Sequence, residues 1–599
     1  MSLPLFAWLG TFSGSTRGFT LVWVFLLLLV GSGARAQAPS WQNAIAISER
    51  ASGTNSSSVY ASAAAANGDV YVAGSFDGTV HLGAFTLTSG SGRALYLAKW
   101  SPATGSFVWV EQGADGGNAS ITALAVNGSN VYLTGYFSRD SLRFGSTRIL
   151  NSTPASFTAD IFVAKLTDAG STASFSWVRQ AGGAGDDIPS AIAASGSSVY
   201  ITGGFEGPRS TFGSTVLTNR AAFGGQNVFV AKLTDAGPSA DFTWAVQAGG
   251  TFNDGGRALT VSGNSVYLTG NLSSQPATFG SLMVSKQSST YDVFVAKLTD
   301  AGASAEFAWV QQAGAGPGAG TYVRSLAVSG LNVYIAGIFS GPTATFGSTT
   351  LANASPTITN ADIFVAKLTD TGIAGFFMWA ERAGGFNSEA VVGLAADGPS
   401  LYLAGNIYSQ TSQFGSHTLG NFSGSNASGD AFVAKMTDAG SSVSFNWAQS
   451  AGGFGRDEAT TMALSGRTVY LGGWVETPAY FSNNAFTYPS NSIVPFLVSL
   501  TDQAVLSTTS SELLAAPTVT VFPNPAHASA TVVVPAFHGA SPGRVTLVDA
   551  LGRVVRDQVL TPATSGARCE LSLLGLAPGL YRVHVLAGAQ RTTRLLAVE

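Results

Sequence analysis

Residues 264–302 read NSVYLTGNLSSQPATFGSLMVSKQSSTYDVFVAKLTDAG, and the same order of pieces returns along most of the chain. An apolar residue followed by Tyr or its close equivalent recurs as Val70-Tyr71, Val131-Tyr132, Val199-Tyr200, Val266-Tyr267, Val333-Tyr334, Leu401-Tyr402 and Val469-Tyr470, at intervals of 61 to 68 residues. A second piece, FVAK or a variant of it, starts at Tyr96, Phe162, Phe229, Phe294, Phe364, Phe432 and Phe496. The third is a tryptophan segment, WVxQAGG in its fullest form, at Trp41, Trp109, Trp177, Trp244, Trp309, Trp379 and Trp447. Seven copies of each, about 67 residues apart, indicate one supersecondary unit that recurs and stacks on its neighbours.

Each unit reads as four short strands bounded by turn signals. The run before the VY strand ends in Ser262-Gly263-Asn264 or Asn127-Gly128-Ser129, which supplies the positive-φ residues of a tight hairpin. The turn after VAKL is T-D-A-G or close to it, with Gly170, Gly237, Gly302, Gly372 and Gly440 free to take the left-handed conformation. Ile161 and Val163 face one side of their strand, and Phe162, Ala164 and Leu166 face the other. Strands apolar on both faces must be covered on both sides, as blades around an axis are.

The phase of the repeat decides between a ring and an open array. The first tryptophan strand, at Trp41, precedes the first VY, whereas the last FLVSL segment, Phe496 to Leu500, has none after it. Seven complete units exist only if the N-terminal strand completes the last one, which would close the ring and remove two free sheet edges. The expected fold is all-β: a seven-bladed β-propeller over residues 37–503, closed by its N-terminal strand, with a small Ig-like β-sandwich after it. Departures fall at the ends, where Ser499 stands in place of the repeated lysine and the first unit lacks a clear AGG. The pattern W…AGG…DD…VYVTG…DIFVAKL resembles bacterial seven-bladed propeller repeats, over about residues 39 to 503. The resemblance implies the fold and little about function, since propellers host enzymes, binders and scaffolds alike.

Antiparallel order puts the tight SGNS and TDAG turns on one end of the ring. The AGG crossings, and the variable segment between VYLTG and VFVAKL with its FGS piece (Phe144, Phe212, Phe279, Phe346, Phe414), fall on the other. A binding surface is expected in that variable segment, where loops on a rigid scaffold can diverge. Alignment on the SG turn places Asp187, Asp254, Glu389 and Asp457 at one position near the mouth of the central channel, opposite Ala119 and Thr321 in other copies. Converging carboxylates there could hold a hard cation such as Ca²⁺; alternatively each caps its own Gly-rich turn. Asp160, Asn227, Asp292, Asp362 and Asp430, at the start of the VFVAKL strand, are expected to bond their own backbone. The lysines Lys99, Lys165, Lys232, Lys297, Lys367 and Lys435 are expected to pack their stems while their ammonium groups reach water. Loop aromatics such as Tyr136, Phe223, Tyr408 and Phe454 are the candidates for stacking on carbohydrate.

Composition narrows the function classes. The formal net charge is −4 and charged residues make up 10% of the chain, so no broad positive field for nucleic acid is expected. His81 and His417 lie in different repeats, His527, His538 and His584 lie beyond the array, and no HExxH, GxSxG or phosphate loop occurs. The expectation is a protein that binds rather than catalyses, with a glycan or surface-protein ligand; a structural spacer or a polysaccharide hydrolase or lyase are the alternatives. Arg17, the apolar run Phe19 to Val30 and Ala34-Arg35-Ala36 read as an export signal over residues 1–36. The run is shorter than the roughly 20 residues a membrane span needs, and no transmembrane anchor is expected in the mature chain. The single cysteine, Cys569, allows no internal disulfide and reads as a small strand residue.

The repeat stops before residues 504–517, which read as a linker. Residues 518–599 then form a new β pattern: VTVFPNPA from Val519, RVTLVDALGRVV from Arg544, LAPGLYRVHVLAG from Leu576 and RLLAV from Arg594. Pro523-Asn524-Pro525, the hairpin from Asp549 through Gly552 to Arg553, and Gly579 with Tyr581 before the terminal strand resemble the type A C-terminal sorting domain of the type IX secretion system. The resemblance implies a Bacteroidota source, passage across the outer membrane by that machinery, and release or surface attachment after the domain is removed.

Overall fold

A computed structural model of the chain describes residues 39–50, 57–90, 92–115, 117–221, 224–286, 290–316, 319–424, 428–488, 492–502, 519–534, 543–549, 553–561, 567–587 and 590–599. The expected export signal and linker lie outside them. The chain divides into two compact units, Met1–Ala504 and Val505–Glu599.

The first unit is a closed seven-bladed propeller. Blade 2 shows the plan: Ala119–Asn127 lines the axis, followed outward by Asn130–Phe137, Asp160–Asp168 and Ala173–Gly183, all antiparallel. The third strand is buried along nearly its whole length in every blade, because neighbouring blades cover both of its faces. Blade 7 takes its outer strand from the other end of the chain, as the phase of the repeat predicts. Trp41–Ala46 pairs with Ile493–Thr501, Trp41 opposite Leu500, and Trp41 is 3% exposed against the Phe481 ring.

The variable segment between the second and third strands is not an irregular loop. Its FGS piece is the tip of a β-hairpin, such as Arg209–Phe212 with Thr215–Thr218, which adds to the outer strand of the preceding blade through Gly182↔Thr211 and Gly183↔Ser210. Blades 1 to 6 therefore become six-stranded sheets. The hairpin covers part of an edge that would otherwise offer unpaired backbone groups. Its Gly takes φ between 55° and 60° at residues 145, 213, 280, 347 and 415, which explains the glycine of FGS. Its Phe is buried between two rings of its own blade: Phe279 lies 4.8 Å from Phe294 and 5.3 Å from Phe307. The expected binding surface is thus built into the scaffold.

The repeated lysines do not stand out in water either: five are buried and Lys435 is partly exposed. Each crosses to the aspartate of the TDAG turn in the next blade or its equivalent: Lys99 to Asp168, Lys165 to Asp235, Lys232 to Asp300, Lys297 to Asp370, Lys367 to Asp438 and Lys435 to Asp502, at 2.5–2.8 Å. The VY tyrosine and the tryptophan of the donor blade hydrogen-bond the same carboxylate, as Tyr200 Oη (2.7 Å) and Trp244 Nε1 (3.1 Å) do at Asp300. Burial pushes the Asp300 carboxyl up, but hydrogen bonds from Lys232, Tyr200, Gly302 N–H and Trp244 hold it below the usual carboxylate range. The seventh seam lacks both partners at once: Ser499 replaces the lysine, and Pro102 stands where the aspartate would be. Trp100 packs on Tyr470 there instead, with ring centroids 6.3 Å apart.

The second unit is a β-sandwich. Thr520–Phe522, Ser529–Val534 and Ala567–Ser572 form one sheet, and Val554–Leu560, Gly543–Val548, Gly579–Ala587 and Gln590–Val598 the other. Val532, Val545, Leu571, Val583 and Leu596 fill the core between them. Cys569 is half-buried in a strand opposite Val532.

Candidate functional site at the channel mouth

The four carboxylates aligned at the channel mouth belong to separate blades and turn away from the axis. Asp187, Asp254, Glu389 and Asp457 are at most 1% exposed, and none lines the central cavity. Asp254 accepts hydrogen bonds from the backbone N–H of Gly250, Ser273 and Ser274 (2.7–2.9 Å). Glu389 accepts from Gly385 N–H and Ser412 Oγ, and Asp457 from Gly453 and Glu476 N–H. Asp187 faces Ser210 and Gly183 without a well-formed bond. Each carboxylate lies by the glycines of its own crossing. Among the described residues no group of three His, Cys, Asp or Glu side chains is placed to share an ion.

The acids at the start of the third strand sit on the other side of the same crossings. A Cβ on Gly384 would collide with the carboxylates of both Asp362 and Glu389, and one on Gly452 with those of Asp430 and Asp457, so two acids flank one glycine. Asp160, Asp362 and Asp430 do not bond their own backbone. They accept the N–H of a residue eight positions upstream, Ser152, Ala354 and Phe422, and so tie the returning loop to the blade.

Burial raises Asp187 to about 8 and Glu389, Asp430 and Asp457 to about 7. These folded values lie above the unfolded carboxylate range near 4. Between roughly pH 4 and pH 7 the native state therefore keeps protons that the unfolded state has released. Stability conferred by this set is fully present at the acid end and falls as pH rises, by up to ~1.4 kcal/mol per pH unit for each group. Urea unfolding between pH 5 and pH 7 should show this negative slope, and Asp457→Asn should make it shallower. An unchanged slope would refute the assignment.

Many of the residues that do face the channel come from an irregularity repeated in all seven inner strands. Each carries a β-bulge, at Tyr60, Thr122, Ser190, Arg257, Arg324, Val392 and Thr460. A bulge inserts an unpaired residue and re-aims its side chain. Six of the seven line a mouth cavity of about 550 Å³, and Tyr60 lines a second, adjoining cavity of about 220 Å³. Arg257 and Arg324 belong to no motif of the repeat. The signal available in the sequence is only that the residue three places after the mouth carboxylates keeps no one type from copy to copy.

The crossings themselves expose aromatic side chains. Phe252, Phe386 and Phe454 follow the AGG glycines of three crossings and are 58%, 72% and 75% exposed. Tyr136 and Tyr408 are half-buried, Tyr408 donating to Glu458 Oε1 at 3.4 Å, and Phe223 lies outside the described residues.

In the C-terminal unit the motif residues have separate structural tasks. Asn524 receives Ala597 N–H and donates to Leu595 O, both at 2.8 Å, fixing the PNP segment to the terminal strand. Asp549 takes both the N–H and the guanidinium of Arg553 across its hairpin; Gly552 is outside the described residues. Tyr581 Oη donates to Ala577 O at 2.7 Å, next to Gly579.

Residues 520–599 match the family of secretion system C-terminal sorting domains. No curated protein matches the chain by sequence. Among solved structures the chain is similar to quinohemoprotein alcohol dehydrogenase from Comamonas testosteroni (9% identity, 82% of this chain and 79% of that one, TM-score 0.36). It is also similar to the hemagglutinin-neuraminidase of parainfluenza virus 5 (10% identity, 78% and 92%, TM-score 0.25) and to Drosophila semaphorin 2a (7%, 81% and 97%, TM-score 0.25). At these scores none of the three bears on what this chain binds or does. The sorting domain makes the chain an exported protein, secreted or carried to the cell surface, that engages the type IX secretion machinery through its C-terminal domain. No helix among the described residues is long and apolar enough to cross a membrane.

Proposed function

We propose that the exported propeller is a non-catalytic binding module that engages polysaccharide at or outside the cell envelope through its crossing face. The observation carrying this reading is the trio Phe252, Phe386 and Phe454, exposed on three of the crossings within two residues of their AGG glycines. Exposed aromatic rings held on a rigid frame present large apolar area at little conformational cost, which suits stacking on sugar rings. On the opposite face the exposed large apolar side chains Leu331, Ile373 and Phe376 lie in or beside the turns of a single blade.

The test is retention of the purified protein on a panel of insoluble envelope and plant polysaccharides. The wild-type chain should bind at least one, and the triple variant Phe252→Ser, Phe386→Ser, Phe454→Ser should bind it at least tenfold more weakly. Its unfolding midpoint should hardly move, since exposed substitutions change stability by no more than about 0.5 kcal/mol each. Retention on none of the panel, or undiminished retention of the variant, would defeat the reading and leave a structural spacer as the better account.

A further inference from the structure

The two arginines in the channel are the least explained charged groups of the propeller. Arg257 and Arg324 occupy the same bulge position on the inner strands of neighbouring blades, Gly255–Ser262 and Thr321–Ser329, and both line the mouth cavity. Among the described residues neither makes a hydrogen bond or an ion pair, whereas the six repeated lysines are all paired. Arg257 Nε is buried with no acceptor. A buried donor left unsatisfied is costly, and a buried charge without a counter-charge more so. Among the described residues the one carboxylate lining the cavity, Glu458, already takes Arg456 at 2.9 Å and the Tyr408 hydroxyl. Burial, and then the nearby charge of Arg324, weaken the hold of Arg257 on its proton, so the two guanidinium groups lie near enough to repel. The cost falls on Arg257, which is partly buried, while Arg324 is exposed at the same level; the other five blades carry Tyr, Thr, Ser or Val at this position and no charge.

We propose that Arg257 and Arg324 form an oxyanion site in the channel mouth, which takes the carboxylate or sulfate group of an acidic saccharide. Guanidinium groups present paired N–H donors that match an oxyanion in bidentate fashion, and they keep their charge when partly buried. An anion between them supplies the missing acceptor and cancels the repulsion in one step. Tyr291 and Tyr322, with ring centroids 5.3 Å apart, stand beside the site; Tyr291 is near enough to act on the charge of Arg257. They offer an aromatic surface for the sugar ring that carries the anion. The proposal deepens the binding reading above, and rests on it only for the saccharide as carrier.

The experiment is titration calorimetry of the purified protein with trigalacturonate, a sulfated disaccharide, inorganic sulfate and neutral maltotriose. Trigalacturonate or the sulfated disaccharide should bind, more weakly as salt rises, and maltotriose should not compete at this site. Arg257→Gln and Arg324→Gln should each weaken binding tenfold or more, and the double variant should abolish it. Arg257→Lys, which keeps charge but loses the fork, should recover little. Unfolding midpoints should stay level or rise in the Gln variants, since repulsion is removed. Failure of every anionic probe to bind the wild type, or binding that survives the double variant, overturns the site. If inorganic sulfate binds through both arginines while no saccharide or polysaccharide does, the oxyanion site stands, and both its acidic-saccharide carrier and the polysaccharide reading fall.

Discussion

Asp370→Ala is expected to destabilise the propeller by about 3–5 kcal/mol, the cost of leaving a buried charge without its partner. Asp370 is 1% exposed. Its carboxylate receives Lys297 Nζ at 2.6 Å, Tyr267 Oη at 2.7 Å, Trp309 Nε1 at 2.9 Å and Gly372 N–H at 2.8 Å. The substitution strands a lysine that is 8% exposed between two blades and orphans two aromatic donors. Adding Lys297→Met should restore a large part of the loss, because the remaining site is apolar and no longer charged. Asp241→Ala is the control: that carboxylate is 90% exposed, 3.7 Å from Arg179, and its removal should be nearly silent. Urea unfolding measures all three. A loss of less than about 1 kcal/mol at Asp370 would place it with ordinary surface pairs. Burial opposes the charge here too, but the bonds from Lys297, Tyr267, Gly372 and Trp309 hold the folded value below the usual range. This contribution is therefore present above the unfolded carboxylate value and lost as pH falls below about 4. It acts on the opposite side of the pH scale from the buried crossing acids, and together the two sets place maximal stability in the weakly acidic range.

Removing the closing strand should have a still broader effect. A chain starting after Ile47 loses the outer strand of blade 7, which uncovers the edge of Ile493–Thr501 and the apolar surface around Phe481, Phe486 and Phe496. An open ring exposes strand edges that pair with other chains, so the expected result is loss of the single cooperative unfolding transition, with aggregation of the expressed protein. Trp41→Ala gives the graded version. This side chain is 3% exposed, packs edge-on to Phe481 at 5.5 Å and donates its indole N–H to Ser450 O, and its truncation should cost about 3–5 kcal/mol. The seam beside this blade is also the one without a lysine–aspartate clasp. Hydrogen exchange should accordingly find the blade 7 to blade 1 boundary opening before the other six. A truncated chain that unfolds cooperatively at the wild-type midpoint would show that the closure contributes nothing.

Much of this was legible before any coordinates. Seven spaced tryptophans and VY pairs count the blades because each blade must bury the same faces, and Trp41 standing ahead of its unit reveals closure through an arithmetic of strands. Pro523, Asn524, Asp549, Arg553 and Tyr581 identify the sorting domain because their tasks are local: a pinned segment, a hairpin and a strand end. Less legible were features that depend on which side chains meet across the ring. Lys165 and Asp235 both recur visibly in the repeat, yet nothing along the chain says that one blade's lysine ends on the next blade's turn. The FGS segment likewise varies as loops do, while its Phe and Gly serve a hairpin that covers a neighbour's edge.

The sequence by itself determined the number of blades, the way the ring closes and the export route, since periodicity, phase and local motifs are properties of one dimension. The tertiary structure alone decided where the charges stand. Asp187, Asp254, Glu389 and Asp457 share a register that suggests a ring of carboxylates, but each turns into its own crossing, where backbone N–H groups or neighbouring polar groups sit within reach. Arg257 and Arg324 share no motif, but a bulge at one level of every inner strand turns them toward the axis. Whether a side chain faces the channel or the blade depends on strand pairing, and a single inserted residue reverses it.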